Sequence, residues 1–387
     1  MARLEEICSL ITDGSHFSPE DEGVGYPMFS VKDMTPNGFN ISGCKKIGEE
    51  AYKKLVANGC KPLNDDVVVA KDGSYLKTAF VIKGNPEITL LSSIAILRPK
   101  IDLVVPEYLS YFLKSDAVYR TVSLNYITGT ALKRIILKGI RKIEVDLPDI
   151  GEQEQRAQRL SKVDYLCQLR KQQLAKLDEL VKARFVEMFG DPVSNPLHWK
   201  KVKLSELADI KIGPFGSLLH KEDYVTGGHP LVNPSHIING KIIVDNDLTL
   251  TEGKYFELSA YHLKKNDVVL GRRGEMGRCA VVDEDGLLCG TGSLLIRTNG
   301  TVTADYIQKI ISFPTFKKTI EDMAVGQTMP NLNVPIVSNF MIIVPPLSVQ
   351  KDYYDFVECV DQQKQTVQQS LEKLELMKKA LMQEYFG

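Results

Sequence analysis

The sequence lacks long apolar runs, a secretion signal and any cysteine pattern. No stretch of about 18 apolar residues occurs, so no membrane-spanning helix is predicted. The opening MARLEEICSL has no apolar core of signal-peptide length. The seven cysteines are scattered and include no Cys-x-x-Cys pair, which excludes a disulfide framework and gives no sign of a zinc site. We therefore expect a cytoplasmic protein with free thiols.

An excess of charge of either sign is also missing. Lys and Arg number 48 against 49 Asp and Glu, so the formal net charge is −1. A chain that binds nucleic acid without partners usually has a basic excess. Any DNA-binding surface in this chain must therefore come from a local arrangement of charge.

The motifs of common catalytic centres are absent as well. There is no Walker A motif and no Gly-x-Gly-x-x-Gly after a predicted strand. Asn233–His236 approaches a methyltransferase loop but lacks its aromatic residue, and it is more typical of a turn. Asp247, Glu252 and Lys254 have the outline of a nuclease site that the other half of the chain does not keep, and the six His residues lack metal-ligand spacing. We expect a binding protein without a catalytic centre, a cofactor or a metal.

An internal repeat is the most informative feature that is present. Residues 153–190 match residues 350–387 without a gap, at a shift of 350 − 153 = 197. Thirteen of the 38 aligned pairs are identical, against roughly two expected from average residue usage. Upstream, Asp66–Gly73 matches Asp267–Gly274 after small insertions. The chain therefore consists of two halves with one plan, each a globular part followed by a long helix.

The globular parts favour the α+β class. Short β-rich runs and short helices are bounded by Gly, Asp or Pro, without the regular alternation of a doubly wound sheet. The predicted strands are Val67–Ala70, Ile94–Leu97, Val268–Leu270 and Leu294–Ile296, and the predicted short helices are Tyr108–Leu113 and Tyr306–Ile311.

The two long helices carry a heptad pattern. Apolar residues recur at alternating spacings of three and four from Leu160 to Met188. Polar residues in one seam align with apolar residues in the other, as Arg170 does with Val367, so the two seams are expected to pack together. The alternative is an amphipathic helix lying on its own domain, but a helix of roughly 55 Å is longer than such a domain is wide. Because both halves have the same order, we expect a pseudo-twofold, antiparallel pair. The predicted boundaries are 1–150 for the first domain, 151–190 for its helix, 191–203 for a linker, 204–347 for the second domain and 348–387 for its helix.

Three loop regions recur in both halves and carry side chains that suit DNA. Arg and Lys bind phosphates or the guanine edge, and the amides of Asn and Gln read adenine. For any single residue, a solvated loop charge is the competing interpretation, so the case depends on the recurrence. The paired regions are 70–77 with 271–278, 128–134 with 325–333, and 13–16 with 213–217. The candidate DNA-binding residues are Lys71, Ser74, Lys77, Thr130, Lys133, Arg134, Arg272, Arg273, Arg278, Gln327, Asn331 and Asn333.

This organisation resembles the specificity subunits of Type I restriction–modification systems, in which two target-recognition domains are each followed by a helical spacer. Ile11–Pro19 and Ile212–Ser217 look like the openings of such domains. Pro148–Gln153, Pro345–Gln350 and the two Phe-Gly helix ends look like the repeated regions of the family. The resemblance covers essentially the whole chain.

The resemblance implies a non-catalytic subunit that recognises a bipartite, gapped site in double-stranded DNA. Its implied partners are two methyltransferase (modification) subunits and, for restriction, endonuclease/translocase (restriction) subunits. Those partners would bind S-adenosylmethionine, ATP and Mg, and this chain would bind none of them. The alternatives are the recognition subunit of a related two-subunit restriction enzyme and, from another class, a coiled-coil nuclease or adaptor.

Overall fold

The computed structural model describes residues 1–73, 75–128, 133–215, 218–325 and 331–387. Short strands and helices form the first globular part, and a helix of 40 residues follows it. The strands are β1 (Ala2–Arg3), β2 (Cys8–Asp13), β3 (Tyr26–Phe29), β4 (Met34–Thr35), β5 (Gly38–Phe39), β6 (Lys45–Ile47), β7 (Val67–Ala70), β8 (Ala79–Val81), β9 (Thr89–Leu90), β10 (Ile94–Pro99), β11 (Ile127–Thr128), β12 (Arg134–Ile135) and β13 (Glu144–Val145). The helices are α1 (Leu4–Ile7), α2 (Glu49–Ala57), α3 (Pro106–Leu113), α4 (Asp116–Asn125), α5 (Leu137–Arg141) and the long α6 (Ile150–Phe189).

The second globular part has a similar order of elements, and a second helix of 40 residues follows it. The strands are β14 (Lys201–Lys203), β15 (Ala208–Ile212), β16 (Tyr224–Val225), β17 (His229–Val232), β18 (Ile237–Ile238), β19 (Lys241–Ile242), β20 (Thr249–Leu250), β21 (Val268–Gly271), β22 (Cys279–Val281), β23 (Leu288–Cys289), β24 (Ser293–Thr298) and β25 (Met341–Ile343). The helices are α7 (Leu204–Leu207), α8 (Glu252–Glu257), α9 (Ala304–Ile311), α10 (Pro314–Met323), α11 (Val334–Ser338) and the long α12 (Leu347–Phe386). Short 3-10 helices lie at Val31–Asp33 in the first globular part and at Lys221–Asp223, Pro234–His236 and Ser259–Tyr261 in the second.

A four-stranded antiparallel sheet lies at the centre of each globular part. Its strand order is β2-β10-β7-β8 in the first part and β15-β24-β21-β22 in the second, so the topology is repeated. In the first part, Val67 and Val69 join the core around α3, whereas Val68 points to the other face and packs in a core with Phe29. Because both faces are covered, the strand is apolar at every position, which is why it appears as a continuous run in the sequence. The α+β prediction is confirmed.

A smaller sheet accompanies each central sheet. Its strand order is β6-β3-β9 in the first part and β16-β20-β17-β23 in the second. In both cases the small sheet contains a parallel pair, β3 with β9 and β17 with β23. No pattern in the sequence predicts these two small sheets.

A buried ion pair lies just before the central strand in both halves. Asp66 is fully buried, and its two carboxylate oxygens accept hydrogen bonds from the Arg98 guanidinium at 2.8 and 2.9 Å. Asp267 and Arg297 make the same bidentate contact at 2.8 and 2.6 Å. Such a pair fixes geometry because both hydrogen bonds must be satisfied at once.

The contacts divide the chain into two compact units. The first unit is Met1–Leu174 with Thr366–Gly387, and the second is Ala175–Gln365. Each unit therefore contains one globular part, the beginning of the long helix that follows it, and the end of the other long helix.

Within each unit the two helix portions run antiparallel, as predicted. In the first unit, Lys171 pairs with Glu375 at 2.8 Å and Asp164 pairs with Lys378 at 2.5 Å, so positions rise along one helix as they fall along the other. Apolar residues of both predicted seams pack together along the same stretch of the two helices. They are Val163, Cys167, Leu174, Leu371, Leu374 and Leu381.

The two Phe-Gly helix ends pack on aromatic residues of the globular parts. In the first unit, the ring centroid of Phe386 lies 5.2 Å from that of Tyr108. In the second unit, Phe189 lies 5.2 Å from Tyr306 in the same way. Gly190 then takes a φ of 73°, a conformation that glycine adopts without strain, and ends α6.

Candidate nucleic-acid interface

Two of the recurring loops meet at one end of the central sheet in the first unit. Loop A (residues 70–77) follows β7, and loop B (residues 128–134) leads into β12. The N–H of Ile135 donates to the carbonyl oxygen of Lys71 at 2.9 Å, and the N–H of Gly73 donates to a loop B carbonyl at 2.8 Å. The described parts of two loops that are distant in the sequence therefore lie side by side.

The second unit brings loop A′ (residues 271–278) next to the described ends of loop B′ (residues 325–333), which are Val325 and residues 331–333. The N–H of Leu332 donates to the carbonyl oxygen of Arg272 at 2.9 Å, the counterpart of the contact in the first unit. Arg273 and Asn331 form a β-bridge beside it. The recurrence that the sequence shows is therefore also a recurrence in space.

Lys71 is the buried cation of loop A. Its side chain is 10% exposed, and its Nζ lies 2.8 Å from the carboxylate of Asp13. Asp13 is the last residue of β2 and opens loop C (residues 13–16), so this ion pair ties a third loop to the other two. A buried pair of this kind holds loops in place and does not offer its charge to a ligand.

The second unit holds the corresponding position differently. The Nε of Arg272 donates to the side-chain oxygen of Asn331 at 3.2 Å. Ile212 stands where the first unit has Asp13, and no described carboxylate lies within 4 Å of the Arg272 guanidinium. Partial burial and the charge of Arg273 lower the pKa of Arg272 from its ordinary value. Loop A′ therefore keeps a positive charge that loop A neutralises.

Four predicted cations are exposed at this surface. They are Lys77, Lys133 and Arg134 in the first unit and Arg273 in the second. In the described parts of the chain, none of the four has a carboxylate within 4 Å. Lys77 lies 5.9 Å from the centre of the Tyr119 ring. Exposed cations on loops are suited to contact phosphates.

Other predicted residues already have partners within the chain. Arg278 pairs with Glu275 at 3.0 Å. The side-chain oxygen of Asn333 accepts a hydrogen bond from the N–H of Ile336 at 2.9 Å and so caps α11. Ser74, Thr130 and Gln327 lie outside the described residues.

Steric contacts explain why a glycine follows β2 in the first unit and β15 in the second. A Cβ on Gly14 would lie 2.1 Å from the carbonyl oxygen of Leu90, and one on Gly213 would lie 1.9 Å from that of Gly290. Each loop therefore passes against backbone at a distance that only glycine allows.

Asp13 is the residue at this surface that the candidate set omitted. Its partner Lys71 is 71 − 13 = 58 positions away, so no local pattern joins them. The only signal in the sequence was that the Asp-Gly turn belongs to one of the three recurring loops.

Within the described residues, no group of three or more His, Cys, Asp or Glu could hold a metal ion. Asn233–His236 contains a 3-10 turn, and Lys254 pairs with Glu257 at 3.1 Å on the same helix. Over the same parts of the chain, no helix is long and apolar enough to cross a membrane.

A domain that recurs with the same central sheet and with equivalent backbone contacts beside it defines a modular protein of two similar units. The family model described as Type I restriction modification DNA specificity domain, Methylase_S, matches residues 1–179 and 196–376. The chain therefore belongs to this family. It has one such domain in each half and recognises a DNA target.

Relatives of known name agree with this assignment. The chain is 23% identical over 349 residues to the Type I restriction enzyme MjaVIII specificity subunit of Methanocaldococcus jannaschii, covering 85% of this chain and 79% of that protein. It is 20% identical over 401 residues to the putative type I restriction enzyme MjaX specificity subunit of the same organism, with 98% and 90% coverage.

Solved structures share the fold over the full length. An S subunit of a Type-I restriction-modification system from M. genitalium aligns with a TM-score of 0.56 and 16% identity, covering 100% of this chain and 95% of that chain. A chain from a study of complex assembly and conformational transition of the type I R-M system aligns with a TM-score of 0.61 and 16% identity, with 100% and 96% coverage. At these identities the similarity establishes the fold alone.

Proposed function

We propose that this chain is the non-catalytic specificity subunit of a Type I restriction–modification complex. Each unit reads one half of a bipartite, gapped site in double-stranded DNA through loops A and B or A′ and B′. The observation that supports this proposal is the pair of loops joined by equivalent backbone hydrogen bonds in both units. One backbone frame used twice with different side chains is suited to reading two different half-sites.

The DNA contacts divide by the surroundings of each side chain. The exposed Lys77, Lys133, Arg134 and Arg273 contact phosphates or base edges. Lys71 acts through its ion pair with Asp13, which positions the loops. The remaining candidates, at Ser74, Thr130, Arg272, Arg278, Gln327, Asn331 and Asn333, belong to the same proposed surface.

The long helices are the proposed docking surface for two methyltransferase subunits and for endonuclease/translocase subunits. Apolar side chains remain exposed on both helices. They include Tyr165, Leu169 and Leu180 on α6 and Leu376 and Met377 on α12. Exposed apolar groups on otherwise polar helices are typical of surfaces that a partner covers. S-adenosylmethionine, ATP and Mg would bind to those partners.

Replacement of one recognition domain tests this proposal. Residues 204–347 are exchanged for the corresponding domain of another member of the family, and the adenine methylation pattern of the host genome is sequenced. We expect one half of the methylated motif to change and the other half to stay. The reciprocal exchange of residues 1–150 should change only the other half. A change in both halves after a single exchange would contradict the modular arrangement.

A further inference from the structure

We propose that each unit binds a phosphate group in a basic pocket beside loop A or loop A′, separate from the side chains that read bases. This inference rests on the proposed DNA-binding function and adds a site to it. The class of ligand is a phosphate, and the favoured source is the DNA backbone outside the half-site that the unit reads.

The pocket of the first unit begins at Lys77 of loop A and has a volume of about 350 Å³. Its lining carries four lysine side chains against two acidic side chains, a side-chain excess of 4 − 2 = +2. Gly387 also lines the pocket, and its main-chain oxygen accepts a hydrogen bond from the Arg120 guanidinium at 3.3 Å. The charged lining residues are Lys77, Lys114, Lys378, Lys379, Asp116 and Glu375.

Lys114 is a half-buried cation of this pocket and has no acidic partner among the described residues. Its Nζ lies 4.5 Å from the centre of the Tyr111 ring, and no described carboxylate lies within 4 Å of it. Burial and the neighbouring charge of Lys378 lower the pKa of Lys114 to about 8. An ammonium group that has lost part of its hydration beside another cation is stabilised when an anion enters.

The backbone at the same place also favours an anion. Helix α4 has 10 residues, and its N-cap Ser115 and first residue Asp116 line the pocket. The N-terminal end of a helix carries a partial positive charge. At α4 the Ser115 hydroxyl already accepts from the N–H of Val118 at 3.3 Å, so the remaining first-turn N–H groups and the helix dipole make this contribution. This contribution adds to that of the lysines and does not depend on any one of them.

The second unit has a corresponding pocket of about 410 Å³ beside loop A′. Arg278, Lys309 and Lys317 line it with one carboxylate, Glu275, which again gives an excess of 3 − 1 = +2. Lys309 has no carboxylate within 4 Å among the described residues. Burial lowers the pKa of Lys309, and the charges of Lys364 and Lys182 lower it further. The pocket charge thus recurs although the half-buried lysine occupies a different position on the helix.

The position of the pockets identifies DNA as the favoured source of the phosphate. Lys77 and Arg278 each belong to a pocket and to a loop proposed to contact DNA. A backbone passing over the loop would therefore meet the pocket next. A free nucleotide or polyphosphate offers the same chemistry, so the experiment must separate the two sources.

The first arm measures DNA binding by the chain assembled with its methyltransferase subunits. Lys114→Met removes the charge and keeps the length of the side chain. We expect affinity at 0.15 M salt to fall roughly five-fold on target and non-target duplexes alike, and the salt slope to fall by about one unit. Lys114→Arg should keep the slope, and Lys53→Met should change nothing, since Lys53 lies outside the pocket and pairs with Glu49 at 2.6 Å. Thermal unfolding of each variant verifies that it is folded.

The second arm titrates inorganic pyrophosphate onto the full chain without DNA by calorimetry. A lower salt slope in Lys114→Met, with or without pyrophosphate binding by the unaltered chain, supports the DNA backbone as the source. Pyrophosphate binding that the variant loses while the salt slope stays unchanged identifies a free phosphate ligand. If neither quantity changes, the pocket is not a phosphate site. The proposed function itself would be contradicted if the unaltered complex bound target and non-target duplexes with equal affinity.

Discussion

Arg272 and Arg273 are adjacent in loop A′, yet their side chains have different surroundings. Arg272 is half-buried and hydrogen-bonded to Asn331, whereas Arg273 is exposed and has no described acidic partner. We therefore expect Arg272 to hold the loop in its conformation and Arg273 to contact DNA.

Arg273→Ala should weaken DNA binding without weakening the fold. Loss of one phosphate contact lowers the salt slope by about one unit. Arg272→Ala should instead lower the free energy of unfolding by about 1–3 kcal/mol, because it leaves a half-buried amide oxygen without its donor. Lys265→Ala is the control. Lys265 is exposed and precedes the first residue of β21, whereas loop A′ follows the last residues of that strand. Filter binding over a range of salt and urea unfolding measure the two effects, and an unchanged slope for Arg273→Ala would remove loop A′ from the interface.

The lowered pKa of Lys114 makes a prediction about stability and pH. Its folded pKa of about 8 lies below the value of 10.5 for an unperturbed lysine, and Lys378, Asp164 and Tyr111 lie around it. Between these two values the unfolded chain binds one proton more than the folded chain, so stability rises with pH in that window. The penalty is fully present below about pH 8 and is lost above about pH 10.5. Because one pKa unit corresponds to about 1.4 kcal/mol, Lys114→Met should stabilise the chain by up to roughly 3 kcal/mol at pH 7 and by much less near pH 10.5.

Urea unfolding at both pH values measures this gain, with Lys53→Met as the exposed control. An equal gain at pH 7 and near pH 10.5 would show that the ammonium charge is not its cause. A stabilising substitution that weakens phosphate binding would also show that the charge is retained at a cost in stability.

The sequence foretold the loops better than it foretold individual side chains. Loops A and A′ were found because they recur beside matching strands, and their backbone contacts do recur. The burial of Lys71 depends on Asp13, and the partner of Arg272 likewise depends on a contact across the fold. Asn333 instead caps α11 through the N–H of Ile336, only three residues further on. Composition and spacing cannot separate an exposed lysine from one that is paired across the fold.

At the scale of elements, the length of each helix or strand decided whether the sequence could predict it. The 40-residue helices α6 and α12 carry many heptad positions, and two copies of the pattern reinforce each other. The small sheets are built from strands as short as Thr89–Leu90, which show no period at all. Their existence depends on tertiary packing against the central sheet, which a single sequence does not display.

The packed seam between the helices predicts a contrast between two leucines on α12. Leu371 is 5% exposed and packs with Val163 and Cys167, whereas Leu376 is 69% exposed. Leu371→Ala should lower the free energy of unfolding by about 2–4 kcal/mol because it leaves a cavity, and Leu376→Ala should change it by less than about 0.5 kcal/mol. Chemical unfolding of the isolated full chain measures both. Similar losses for the two variants would mean that the helices do not pack through this seam in solution.

Leu376→Ala also tests the proposed docking surface. A side chain that contacts a partner subunit must be exposed on the isolated chain, as Leu376 is. If α12 binds a methyltransferase subunit through this face, the variant should weaken assembly while leaving stability unchanged. Co-purification of the subunits at limiting concentration distinguishes a docking leucine from one that stays in solvent.

At the scale of the whole molecule, both long helices contribute to both units. The first unit contains the beginning of α6 and the end of α12, and the second contains the end of α6 and the beginning of α12. Each globular part therefore belongs to a unit that contains portions of both long helices. We infer that the length of this helix pair sets the gap between the two DNA half-sites, a hypothesis that an insertion can test.

Insertion of one heptad into each helix preserves the seam while lengthening both helices. Arg170 donates to Ser370 at 3.2 Å, so insertions after Lys171 and after Ser370 fall at matching points of the antiparallel pair. Seven residues add ~10.5 Å of helix, which equals about three base pairs at ~3.4 Å each and rotates one half-site by roughly 100° around the duplex. We expect the lengthened protein to lose methylation at its original gapped site, and to prefer a wider gap only where the complex can untwist to meet it. A heptad in one helix alone is the control and should lower stability through loss of pairing more than it changes the site. Methylome sequencing of a host with the lengthened subunit measures the gap, and full methylation at the original spacing would leave the helices as a docking surface without a role in spacing.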